Sequence, residues 1–221
     1  MCFSASASFV TGGVLSVTGT AAVRETRTSS RVLLAAIPLL FAVHQLSEGV
    51  VWLTLGGGDH AAWQRPAMFS YLVVAKVAWP FWVPLSILAA ERNAAHRKVL
   101  FPLLAIGAVS SLYQAYLLSV YPVSAGIAGH HIHYEIASPP ATRWLSGILY
   151  MLPTVLSPFL SSFKLMRLVG LGILGSFIFS AIYFREALGS VWCFFAALIS
   201  VLIFFAVREY PEVTGPAPAS H

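Results

Sequence analysis

Three ionisable side chains sit in stretches otherwise apolar enough to cross a bilayer: His44, Glu48 and Lys76. A charge at the centre of a span costs about 2.5–3.5 kcal/mol on insertion scales, so such residues are the first candidates for function. His44 and Glu48 are spaced i, i+4, which stacks them on one helix face with Trp52 a turn beyond. A carboxylate beside an amine in a water-poor site can act as a general acid or base. An imidazole can ligate a metal. A second constellation is Gly129-His130-His131-Ile132-His133-Tyr134-Glu135. If this segment is extended, His131 and His133 point to one side. With His44 and Glu48 they would form a four-ligand set for one transition metal (Zn, Cu or Fe), which could activate water or mediate redox chemistry. The bland readings are a Glu–Lys pair that fixes helix register and a solvated His-rich turn. Asp59 and His60, after three glycines, read as a hydrated turn that could join the same mouth.

The elements that must position these groups are membrane spans. The chain has 221 residues, with 58% hydrophobic and 10% charged, and a mean hydropathy of +0.80. Soluble domains carry about 25% charged residues. The composition excludes a disordered or collagenous chain, and two cysteines exclude a disulfide-dense scaffold. Spans of roughly 20 apolar residues are predicted over 5–23, 32–56, 67–90, 99–121, 143–163, 166–184 and 190–207. The expected fold is an all-α seven-helix transmembrane bundle forming one domain over 1–208. A flexible Pro- and Ala-rich tail follows over 209–221. The first span lacks a charged leader region, so no cleaved signal peptide is expected.

The basic residues set the orientation. Arg24, Arg27, Arg31, Arg92, Arg97, Lys98, Lys164, Arg167 and Arg208 fall on one side, and Arg65, Arg143 and Arg185 on the other; with Lys76 these are the 13 Lys and Arg. The positive-inside rule then puts the N-terminus outside and the C-terminus in the cytoplasm. The pI of about 9.5 is thus a topology signal. The basic residues lie in short loops with no run suited to tracking phosphates, so no nucleic-acid partner is expected.

With this topology Glu48 lies roughly 12 Å below the outer end of its helix, and Lys76 reaches a similar depth. Gln114 and Tyr150 fall in the same layer. An outward-facing polar pocket of Glu48, Lys76, Gln114 and Tyr150, with Trp52 near its rim, is therefore expected. Cys2 and Cys193 both map to the outer edge, open to a disulfide, a reactive thiol or inert packing. Pro80, Pro84, Pro102, Pro153 and Pro158 each remove a helix donor and bend a span or open a cavity.

The opening Met1-Cys2-Phe3-Ser4-Ala5-Ser6-Ala7-Ser8-Phe9, the run Ile37 to Ala42, the run Gln45 to Trp52 and the His131 to Tyr134 stretch resemble an uncharacterised bacterial multi-pass membrane family. The resemblance implies a membrane fold, in a bacterial cytoplasmic membrane, and no particular reaction. Other seven-span groups fit less well. Ceramidase-like hydrolases carry a His-x-x-x-His in the last span, which here has no histidine. Microbial rhodopsins carry their lysine in the seventh span, not the third. Membrane terpene cyclases share only intramembrane acids and aromatic content. Three functions follow as expectations. The first is a membrane-embedded metal-dependent or acid–base enzyme acting on a small or lipid-like molecule. The second is a proton- or ion-coupled transporter using Glu48, Lys76 and His44. The third is a ligand-binding sensor or complex subunit. A polar layer confined to one face favours the enzyme.

Overall fold

The computed structural model describes residues 4–26, 28–56, 61–184 and 188–208. The helices are α1 (Ala5–Glu25), α2 (Ser29–Ala35), α3 (Ile37–Leu55), α4 (Ala61–Leu72), α5 (Trp79–Ala90), α6 (Ala94–Val120), α7 (Pro140–Leu156), α8 (Lys164–Tyr183) and α9 (Leu188–Arg208). A π-helix, Val73–Ala78, joins α4 to α5, and a 3₁₀ turn, Ser157–Leu160, follows α7. Among the described residues the one departure from helices and their connections is a hairpin of β1 (Val123–Ala128) and β2 (His131–Ile136) between α6 and α7. Its two-residue loop is Gly129-His130, with Gly129 at φ 62°. A Gly in the left-handed region at the first loop position suits a II′ turn, whose twist matches the strands.

Among the described residues six helical segments are long and apolar enough to cross a membrane: Ala5–Glu25, Ser29–Leu55, Ala62–Ala90, Ala94–Val120, Lys164–Tyr183 and Val191–Arg208. The predicted fifth span is interrupted. α7 has 17 residues and yields to the 3₁₀ turn at Ser157-Pro158, because a proline cannot continue the hydrogen-bond ladder. Together the two still run from the hairpin to the opposite end of the bundle. There Ser162 bonds Glu91, between α5 and α6.

The bundle is built around α2 and α3. Their joint segment is 67% buried, against 28% for α1 and 22% for α8. α1 packs on α3 through Ser8, Gly12, Leu15, Gly19 and Ala22. A Cβ on Gly19 would stand 2.9 Å from the Leu39 amide nitrogen. Small residues let the two backbones meet this closely, the usual basis of helix association where lipid is as apolar as leucine. Pro38 at the start of α3 accompanies the break from α2 at Ala36. The carbonyl of Leu33 near that break accepts a 3.0 Å bond from the Trp82 indole.

Pro80 and Pro84 shape the third segment. In the i→i−5 register of the π-helix, a donor at position 80 would reach the Ala75 carbonyl, and proline has none. The Tyr150 hydroxyl takes that place, donating to the Ala75 oxygen at 2.8 Å. The Ser111 hydroxyl donates to the Val77 carbonyl at 2.6 Å. Two neighbouring helices thus satisfy carbonyls of the π-helix that carries Lys76.

Candidate functional site

α3 turns His44, Gln45 and Glu48 wholly into the protein, each at 0% exposure. Around them close Tyr71 of α4, Lys76 of the π-helix, Tyr150 of α7 and Cys193 of α9. Cys193 is the meeting point. It stands within electrostatic reach of Glu48, Lys76 and Tyr150, with Tyr71 packed in the same cluster. Glu48 and Lys76, which the sequence suggested as a pair, share Cys193 as an electrostatic neighbour. Gln114 donates to the Ser146 hydroxyl at 2.6 Å, one turn from Tyr150, so it ties α6 to α7 at this level.

An aromatic ladder links the cluster to the hairpin. Tyr134 of β2 stacks on Tyr71 with centroids 4.2 Å apart, and Tyr71 stacks on His44 at 4.1 Å. Phe41 meets His44 edge-on at 6.4 Å and stacks on Trp79 at 4.1 Å. Both ring nitrogens of His44 and both amide atoms of Gln45 are buried with no hydrogen-bond partner among the described residues. Leaving such a group unmet costs about 1–3 kcal/mol.

The hairpin corrects the proposed ligand set. Strand alternation does place His131 and His133 on one face, but it is the opposite face that packs against Val51 of α3 and Tyr71 of α4. The inward face carries Ile132, at 1% exposure, with Tyr134 and Ile136 packed beside it. His133 is exposed, and His131 meets Phe184 edge-on at 5.3 Å. Burial holds the His131 pKa below its ordinary value, with the adjacent His130 adding to the effect. Among the described residues no group of three or more His, Cys, Asp or Glu could hold a metal ion, so His44, Glu48, His131 and His133 are not brought together. The physical reason is the apolar alternation of Ile132, Tyr134 and Ile136, which decides which face is buried.

Trp52 packs at the rim with Val51 and Tyr71. Cys193 is a buried free thiol. Cys2, Asp59 and His60 lie outside the described residues. Below the cluster, away from the hairpin, an apolar cavity of about 40 Å³ has Cys193 and Tyr150 in its wall, with Phe41, Trp79 and Trp192.

Sequence reasoning missed a second polar cluster, at the opposite end. Glu91, 3% exposed, accepts bonds from the Asn93 amide at 2.8 Å and from the Ser162 amide and hydroxyl, both at 2.7 Å. His96 approaches it at 3.6 Å. Burial alone raises this carboxyl's pKa, but the three hydrogen bonds and His96 outweigh it and hold the pKa below the ordinary value. The cluster clips the α5–α6 turn to the start of α8. Its only sequence signal was an acid followed two residues on by Asn, the N-cap of α6.

These features define a multi-pass helical membrane protein with a buried polar cluster under a β-hairpin. The chain belongs to the family of unknown function DUF6629, whose model matches residues 1–217. No curated protein and no solved structure matches it.

Proposed function

We propose that the chain crosses a bacterial cytoplasmic membrane seven times, N-terminus outside, and that the cluster around Cys193 is a membrane-embedded site that binds and transforms a small or lipid-like molecule. The seventh crossing is α7 with its 3₁₀ turn. Their combined rise is roughly 33 Å, enough for a hydrocarbon core of about 30 Å. The basic residues at the Glu91 end, including Arg92, Arg97, Lys98, Lys164, Arg167 and Arg208, support that end as cytoplasmic.

One observation carries the functional reading: Glu48, Lys76, Tyr71 and Tyr150, from three different membrane segments, surround Cys193 of a fourth. Structural glue needs two partners, whereas this cluster sets an acid, an amine, two phenols and a thiol around one point beside an apolar cavity. In such a site Glu48 exchanges protons with the ligand and Lys76 balances developing negative charge. The cavity below takes an apolar group.

A transporter needs a polar path onward, and the next layer is the hydrophobic core of Leu34, Ile37, Phe41, Val83, Ile87 and Met166. A polar site that ends on an apolar floor suits binding and chemistry better than conduction. The test is untargeted mass spectrometry of solvent extracts from purified wild type, Glu48→Gln and Lys76→Met, each checked for helicity. A species enriched in the wild type and lost from both folded variants supports the reading. Identical extracts from all three, with Glu48-dependent proton flux in liposomes, would replace it with a carrier.

A further inference from the structure

At the hairpin end, a separate groove of about 710 Å³ opens where the first turns of α4, the last turns of α6 and strand β1 meet. Its floor is apolar: Met68 and Leu118 are buried there, flanked by Phe69 and Val123. Its rim carries Gln64, Arg65, Tyr121 and Ser124, all able to donate hydrogen bonds, and no carboxylate lines it. Ser119 also lines the rim but donates to the Tyr116 carbonyl within its own helix.

Arg65 is exposed, and its guanidinium lies 5.7 Å from the centre of the Phe69 ring. Among the described residues it meets no carboxylate. Resting on a ring keeps the guanidinium over the groove while leaving its five N–H donors free. Trp63, one turn from the groove and 65% exposed, with Tyr121 at its edge, marks the depth at which amphipathic rings settle at a membrane surface.

Polar donors with one cation above an apolar trough match a phospholipid: phosphate against Arg65, acyl chain along Met68 and Leu118. We propose that this groove is a binding site for an anionic phospholipid of the outer leaflet, held by its headgroup phosphate on Arg65. A guanidinium binds phosphate through paired hydrogen bonds that a lysine cannot reproduce. A headgroup whose phosphate charge is not offset by a cationic group adds attraction that a zwitterionic lipid lacks. The groove is distinct from the Cys193 cluster. The proposal rests on the membrane reading and on the hairpin end facing outward.

The experiment is native mass spectrometry of the full-length protein released from detergent with added phosphatidylglycerol or phosphatidylcholine, for wild type, Arg65→Gln and Arg65→Lys. The expected result is one phosphatidylglycerol retained by the wild type where phosphatidylcholine is lost. Retention should weaken at least about tenfold in Arg65→Gln and partly in Arg65→Lys. Equal retention of the two lipids, or no change in Arg65→Gln, overturns the proposal while the membrane reading stands. Displacement of the lipid by millimolar inorganic phosphate overturns the lipid in favour of a soluble anion. Recovery of the protein in the soluble fraction without detergent overturns the membrane reading and the proposal together.

Discussion

Tyr134 of the hairpin lies face to face with Tyr71 of the bundle, the rings 4.2 Å apart and 13° from parallel. That contact fastens the only strands among the described residues to the helix whose next partner is His44. Stacked pairs contribute about 0.5–1.5 kcal/mol beyond the area they bury. Tyr134→Ala is therefore expected to loosen the hairpin without unfolding the helices. Hydrogen exchange should rise over 123–136 and remain unchanged in α6 and α9. Unchanged exchange in the hairpin would show that Ile132 and Ile136 hold it unaided.

Gly107 of α6 lies against the third segment where Pro84 leaves the Pro80 carbonyl without a helical donor. A Cβ at Gly107 would overlap that oxygen and stand 2.9 Å from the Pro80 carbonyl carbon. Neither atom belongs to a flexible side chain. Gly107→Ala is expected to destabilise the protein by about 1–3 kcal/mol or more, read as a fall in thermal midpoint in detergent. Gly13→Ala, where nothing lies within 4 Å of the added atom, serves as the control and should leave the midpoint nearly unchanged.

Glu91 makes stability depend on pH with a definite sign. Its folded pKa is depressed below the ordinary value of 4.5. Its contribution is thus fully present above that value and is lost as pH falls through the folded pKa. Glu91→Gln should cost about 1.5–3 kcal/mol near neutrality, the size of hydrogen bonds to a charged group. The gap between variant and wild type should close on acidification. A gap that widens in acid would contradict the clip.

Seven crossings and six place the C-terminus on opposite sides. A fluorescent protein fused after His221 should glow, and alkaline phosphatase fused there should be inactive, while phosphatase inserted at Gly129 should be active. Active phosphatase at the C-terminus would remove α7 from the membrane.

Much of the frame was legible in the residues, because long apolar runs permit little else. Predicted spans such as 99–121 and 166–184 match α6 and α8 to within a few residues at each end. The breaks were harder. Pro80 was visible, but not that it would sit beyond a π-helix whose carbonyls Tyr150 and Ser111 would cap. That outcome depends on neighbours distant in sequence. Counting depth along the helices set Glu48, Lys76 and Tyr150 at one level as an expectation. It gave no sign of Cys193 beside them, since that depends on how α9 rotates against α3. The histidines drew notice by their chemistry, while Ile132, Tyr134 and Ile136 decided the strand's orientation by burial. Glu91 read as a loop charge, because its partner Ser162 lies 71 residues away.

The proposed polar site is reached from outside, beneath the hairpin, with Cys193 at its heart. Its most direct test is the rate at which Cys193 reacts with a charged, membrane-impermeant thiol reagent. Sealed, oriented vesicles of a Cys2→Ser variant leave it the single cysteine. Reagent on the outer side should label Cys193 slowly, and faster when Tyr134→Ala is added, while reagent on the cytoplasmic side should not label it. Faster labelling from the cytoplasmic side, or a rate indifferent to Tyr134, would show that the site does not open outward beneath the hairpin.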